Sequence, residues 1–194
     1  MNGIYIVDFE GNGDTPPDIV ELAIVELLEW EQIGRSYCWL LRPAAPITKL
    51  VSRIHGISDR DVIGAPSFSS IESELRLLLK SATVIAHNAH VDASALKRKM
   101  PGWAPARLLD TLRLARRLKP GMASYSLHKL CADLDIQRPD AGRDGRAHSA
   151  AYDAAITAQL FLRLLSDHRH LGLDVILQLA TVPQEREPQL PFDF

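Results

Sequence analysis

An apolar run that ends in two carboxylates and then a glycine-flanked turn constrains this chain more than any other stretch: Ile4-Tyr5-Ile6-Val7-Asp8-Phe9-Glu10-Gly11-Asn12-Gly13. The run is short, rich in β-branched and aromatic residues and closed by glycine, the pattern of a buried strand in a sheet covered on both faces. Alternation along a strand puts Asp8 and Glu10 on the same side, one pleat apart, where the strand leaves the core. Two like charges placed in this way repel each other and lose hydration, a cost that a shared divalent cation removes. Metal binding is the chemistry this stretch points to. An isolated Asp-x-Glu also suits a solvated strand end, so partners elsewhere in the chain have to decide.

With 194 residues, 46% of them hydrophobic, the chain suits one globular domain with an appendage, divided here at residues 1–170 and 171–194. No apolar stretch is long enough to span a bilayer and no basic leader precedes the first strand, which predicts a soluble, cytoplasmic protein without a membrane partner. Cys38 and Cys131 form neither a disulfide framework nor a zinc-ligand spacing, and both are expected to be reduced and buried. Lys and Arg total 22 against 24 Asp and Glu, a formal net charge of −2, so any nucleic-acid surface is a local patch.

Residues 19–28 read as a second strand, and residues 30–41, with Arg35, Tyr37, Trp39 and Leu41 alternating, as a third antiparallel to it. A polar stretch follows to Asp59. Phe68, Ile71, Leu75, Leu78 and Leu79 then recur at helical spacing, and residues 82–86 form a short buried strand running into His87-Asn88-Ala89-His90-Val91-Asp92. The chain turns helical at about Ala95. Residues 107–109 are a strand ending at Asp110, residues 111–118 a basic amphipathic helix and residues 124–134 a further helix. Arg138 to Arg146 read as a glycine-rich basic loop. From Ser149 to Leu165 a long helix carries Asp153, its early alanines allowing close approach to the sheet. A Pro- and Glu-rich tail closes the chain.

Asp8 with Glu10, Asp92, and His148 with Asp153 thus form three clusters, each at the edge of an element that begins or ends on a buried sheet. Here the chain resembles the DEDD exonucleases, specifically the DEDDh branch that includes polymerase proofreading subunits and ribonuclease T type enzymes. Val7-Asp8-Phe9-Glu10 is similar to the family's first motif, Ala86-His87-Asn88-Ala89-His90-Val91-Asp92 to its second, and His148-Ser149-Ala150-Ala151-Tyr152-Asp153-Ala154 to its third. His55-Gly56-Ile57, Leu109-Asp110-Thr111-Leu112 and Tyr125-Ser126-Leu127 also stand where the family has similar segments. Departures are Gly11-Asn12, where many members have threonines, and Val91, where many have an aromatic residue. The resemblance implies an α/β, ribonuclease H-like fold with a mixed five-stranded sheet flanked by helices, in agreement with the element order read independently.

Phosphodiester hydrolysis needs a water in line with the leaving oxygen while charge builds on the phosphoryl oxygens, and two divalent ions serve both ends of that displacement. Carboxylates suit Mg²⁺ or Mn²⁺, which prefer hard oxygen donors. By resemblance, Asp8, Glu10, Asp92 and Asp153 hold two such ions and His148 is the general base, an imidazole titrating near neutral pH. Five residues of helix turn through about 140°, so His148 and Asp153 share no helical face and His148 belongs to the helix lead-in. Phe9, Gly11, His55, Gly56, Ile57 and Asn88, with Arg143 and Arg146 from the basic loop, are the expected substrate contacts.

The resulting expectation is a 3′–5′ exonuclease releasing nucleoside monophosphates from single-stranded DNA or RNA 3′ ends, with a DNA proofreading or repair role. An RNA-trimming enzyme on the same scaffold is the alternative, because the contact that distinguishes ribose from deoxyribose is not set by spacing. The rival from another class is a non-catalytic nucleic-acid-binding or replisome-docking module, which has no need of four mutually repelling carboxylates. At the far end, Gln189-Leu190-Pro191-Phe192-Asp193-Phe194 resembles short peptides that dock on the replication sliding clamp, with Gln189, Leu190, Phe192 and Phe194 as anchors.

Overall fold

The computed structural model describes residues 3–137 and 149–183. Strands β1 (Ile4–Gly11), β2 (Ile19–Leu28) and β3 (Gln32–Leu40) form an antiparallel meander. Helices α1 (Lys49–His55) and α2 (Phe68–Leu78) lead to β4 (Thr83–Ala86), α3 (His90–Lys99) and β5 (Arg107–Asp110). Helices α4 (Thr111–Leu118), α5 (Leu127–Asp133), α6 (Ala150–Asp167) and α7 (Leu173–Ala180) complete the described chain. The sheet is mixed and five-stranded in the order β3-β2-β1-β4-β5, with β4 parallel to both β1 and β5. Because those three strands run the same way, their carboxyl ends lie at one edge, and every motif residue after them emerges there.

Alternation divides the core into two layers. Ile4, Ile6, Ala23, Val25 and Leu27 face α4, α5, α6 and α7, whereas Tyr5, Val7, Leu22 and Ile24 face α2 and α3. Asp8 and Glu10 continue the Ile4 and Ile6 side of β1, toward α6. Helix α6 buries Ala150, Ala154 and Ala158 without residual exposure, and these small side chains bring its first half against β1 and β2.

Four features differ from the sequence reading. Helix α1 lies within the stretch read as polar. It buries only His55 and leaves Leu50 and Ile54 exposed, so it has no amphipathic pattern to betray it. Helix α3 starts at His90, ahead of the expected position, which puts Asp92 in its first turn. Cys38 is exposed, because it lies on the edge strand β3, whereas Cys131 is buried as expected. Helix α7 buries Ile176, Leu177 and Ala180 in the same core as α6. Beyond it the Val182 N–H donates to the Leu108 carbonyl, so the chain past residue 170 packs as part of the domain as far as the description reaches. Among the described residues, no helix is long and apolar enough to cross a membrane.

Candidate active site

The site forms where β1 ends beneath the amino terminus of α6. Ser149 precedes that helix in extended conformation and its hydroxyl accepts the Tyr152 N–H at 3.2 Å. Glu21 of β2 accepts the Ala150 N–H at 2.7 Å. Asp153, in the first turn, is thereby lowered onto the strand end, and carboxylate oxygens of Asp8, Glu10 and Asp153 all lie within 4.8 Å of one another. Asp92 comes from the opposite direction. Strand β4 stops at Ala86, so it does not pair β1 past Ile6, and the buried Asp92 carboxylate takes the Phe9 N–H instead.

This crowding moves the carboxyls far from their ordinary range. Burial raises Asp8 well above it, and the charges of Asp92, Asp153, Glu10 and Glu21 push in the same direction. Glu10 is pushed up to about 8, by burial first and then by Asp153 and Glu21. Asp92 is also raised, chiefly by burial, with Asp110 and Glu10 adding to it while the Phe9 N–H opposes. Among the described residues no Lys or Arg forms an ion pair with Asp8, Glu10 or Asp92. Partly buried, all-oxygen donors that repel at this spacing fit hard divalent cations.

The expected substrate contacts divide. Phe9, Gly11 and His55 line a cleft of about 250 Å³ next to Glu10, closed by Gly13, Pro17, Val51 and Ile54. His55 accepts the Ile57 N–H on Nδ1 at 3.1 Å, so its proton sits on Nε2, 3.3 Å from the Gly11 carbonyl. Burial lowers its pKa and keeps it neutral in that role. Gly56 caps α1 in left-handed conformation, so Gly56 and Ile57 shape the cleft from behind and do not line it. Asn88, at φ 70°, donates its N–H to Asp110, which also accepts the Leu112 and Arg113 N–H groups as the cap of α4. Arg143, Arg146 and His148, like Gln189, Leu190, Phe192 and Phe194, lie outside the described residues.

Four further residues matter to which the sequence reading gave no role of their own. Glu21 stands directly opposite Glu10 in the β1–β2 register. Its signal was legible: in Glu21-Leu22-Ala23-Ile24-Val25 it is a charge on the same side as Ala23 and Val25, a buried strand face. Asp110 had the signal of a helix cap. His87, neutral through burial, donates from Nε2 to the Tyr125 carbonyl and accepts from the Thr111 hydroxyl on Nδ1, both at 2.9 Å, tying the second motif to α4 and the approach to α5. His128 of α5 had no local signal. Its Nε2 lies 3.3 Å from Asp153 Oδ1 and its ring stacks on Tyr152 at 5.9 Å, a meeting made only by packing α5 on α6.

Comparison with known proteins decides the family. A family model described as exonuclease, of the RNase T type, matches residues 5–161. The chain belongs to the DEDDh exonucleases. Among relatives of this family, the 3′–5′ exonuclease DinG of Bacillus subtilis is 28% identical over 186 residues, covering 92% of this chain and 19% of the relative. DNA polymerase III subunit epsilon of Rickettsia prowazekii is 28% identical over 170 residues, covering 82% of this chain and 72% of the relative. The structure of exonuclease X in complex with 5′ overhanging duplex DNA is 27% identical with a TM-score of 0.75, covering 91% of this chain and 98% of that one. The nuclease domain of 3′hExo, a DEDDh family member, shares the fold at 16% identity and a TM-score of 0.73. The chain spans 11 to 23% of the length of the first six curated relatives it matches. The DEDDh family is a divalent-metal-dependent class of 3′–5′ exonucleases, and in this chain an acidic cluster of Asp8, Glu10 and Asp153 stands at the end of β1.

Proposed function

We propose that this chain removes nucleoside monophosphates from the 3′ ends of single-stranded DNA, with Mg²⁺ or Mn²⁺ held by Asp8, Glu10, Asp92 and Asp153. The observation that carries the reading is the convergence of Asp8, Glu10 and Asp153 within 4.8 Å, with Asp92 buried beside them. Two bound divalent ions supply Lewis acidity to the attacking water and to the departing 3′ oxygen. The chain's own residues do the rest. The apolar walls of the cleft, Phe9, Val51 and Ile54, receive the terminal nucleotide, and His55 fixes the Gly11 carbonyl at its floor. His148, two residues ahead of α6, takes the proton from the attacking water, and Arg143 and Arg146 meet the phosphate backbone. DNA is favoured by the relatives, which include a DNA polymerase III epsilon subunit, and by the likeness to exonuclease X in a DNA complex.

The test uses end-labelled DNA and RNA single strands with Mg²⁺, Mn²⁺ or chelator. Stepwise shortening of DNA from the 3′ end, abolished by chelator and by Asp153→Ala, supports the proposal. Preferential shortening of RNA makes the enzyme RNA-trimming instead, and binding without turnover makes it a non-catalytic module. The reading extends to residues 189–194 as a sliding-clamp anchor: a peptide of residues 183–194 binds clamp at micromolar Kd, about −8 kcal/mol, and Gln189→Ala removes binding but not nuclease activity. Equal clamp binding by the full and truncated chains refutes that extension.

A further inference from the structure

We infer that Glu21 is a positioning residue of the nuclease centre: by accepting the Ala150 N–H it locks the first turn of α6 to β2 and thereby sets where Asp153 stands against Asp8 and Glu10. The inference rests on the reading of those three carboxylates as metal donors.

Glu21 is Cα partner to Glu10, on the sheet face that looks toward α6. From there its Oε2 reaches the Ala150 N–H at 2.7 Å. That group is one of the first N–H donors of α6, which have no partner inside the helix. Ala150 is fully buried, so water cannot replace the carboxylate. Ser149 caps the helix at Tyr152 but leaves Ala150 to Glu21. Asp153 lies three residues further on, its own N–H bonded to the Ser149 carbonyl at 2.9 Å. A first turn released from β2 therefore carries Asp153 with it. The other carboxylate oxygen of Glu21 lies 3.6 Å from the Cys38 thiol on β3, so Glu21 spans from the sheet's edge strand to the helix.

Simple strand-forming needs do not explain an acid here. Glu21 adds a further negative charge beside Asp8 and Glu10 and raises both their pKa values, a cost any apolar residue avoids. What the acid supplies in return is a charge-assisted hydrogen bond at the positive end of α6.

Three substitutions separate reach from charge. Glu21→Gln keeps an acceptor oxygen at the same reach, Glu21→Asp keeps the charge but falls short of Ala150, and Glu21→Ala removes both. The measurements are Mn²⁺ binding by electron paramagnetic resonance, hydrogen exchange of the Ala150 amide by NMR, thermal stability, and kcat against KM on single-stranded DNA. The expected result is Mn²⁺ affinity about 10- to 100-fold weaker in the Asp and Ala variants, with faster Ala150 exchange and a loss in kcat greater than any change in KM. The Gln variant recovers Mn²⁺ affinity to within about threefold of wild type, the acceptor being restored. If Glu21→Ala does not fold, the Asp and Gln pair carries the test. An Asp variant that binds Mn²⁺ like wild type, or a Gln variant as impaired as the Asp one, overturns the inference, since an acceptor within reach of Ala150 is then not what sets the Mn²⁺ affinity. Normal Mn²⁺ binding by Asp153→Ala refutes the metal-donor reading itself.

Discussion

Replacing Asp8 by Asn should stabilise the metal-free protein while destroying its activity. At 4.8 Å, the outer limit of the Asp8, Glu10 and Asp153 cluster, two full charges repel by about 3.5 kcal/mol at an effective dielectric of 20. The carboxyls escape by holding protons, but at pH 7 protonating a Glu of ordinary pKa costs a similar amount, about 3.4 kcal/mol. Either way each member of the trio strains the apo fold by on the order of 3 kcal/mol. The Asn variant keeps the shape and sheds one charge. In chelator at pH 8 it should therefore be more stable by about 2–3 kcal/mol, a rise in Tm of roughly 4–12 °C for a domain of this size. The sign of the pH dependence follows from Glu10, whose pKa is raised from 4.5 to about 8. Between those values the native state holds more protons than the unfolded chain, so wild-type apo stability falls as pH rises through that window. At pH 5 both proteins are relaxed by protonation and the gap should shrink below about 1 kcal/mol. Saturating Mg²⁺ should raise the wild-type Tm, by an amount equivalent to about 2.7 kcal/mol at 100 times Kd, and leave the variant nearly unmoved. Differential scanning calorimetry in chelator and in Mg²⁺, at pH 5 and 8, measures all four corners. A variant no more stable than wild type at pH 8 in chelator, or a gap unchanged at pH 5, would refute the reasoning.

Removing the proposed base by His148→Ala should lower kcat at least about 100-fold while Mn²⁺ binding persists, and should abolish the rise in rate across the histidine pKa; a pH–rate profile that keeps this rise removes His148 from the role. Asp110→Ala strips the cap of α4 and the partner of the Asn88 N–H, and a loss of about 1–2 kcal/mol is expected by urea unfolding. Leu177→Ala, which empties part of the core under α7, should cost about 2–5 kcal/mol, and a loss under 1 kcal/mol would detach α7 from the domain.

What was legible in the sequence was the local content of the site. The run into Asp8 and Glu10 announced a buried strand bearing paired acids, and strand alternation alone placed both on one side. Ser149, Ala150 and the alanines after them announced a helix able to approach a sheet, and Asp153 came with it. The antiparallel pairing of β2 with β3 followed from their short connection, whereas the strand order and the parallel pairing of β4 with β1 and β5 emerged only in the fold. Helix α1 escaped because almost none of its surface enters the core, and α7 because eight residues, Leu173 to Ala180, are too few to show by their pattern whether an apolar run packs. Only the tertiary structure could join Glu21 to Ala150 across 129 positions of chain, or set His128 against Asp153, because hydrogen bonds and charge contacts between elements leave no periodicity in either partner. The same holds for the raised pKa values. Residue type supplied the carboxylates, but their burial and their mutual distances, which arise only when α3 and α6 close over the end of β1, determine how many protons they hold.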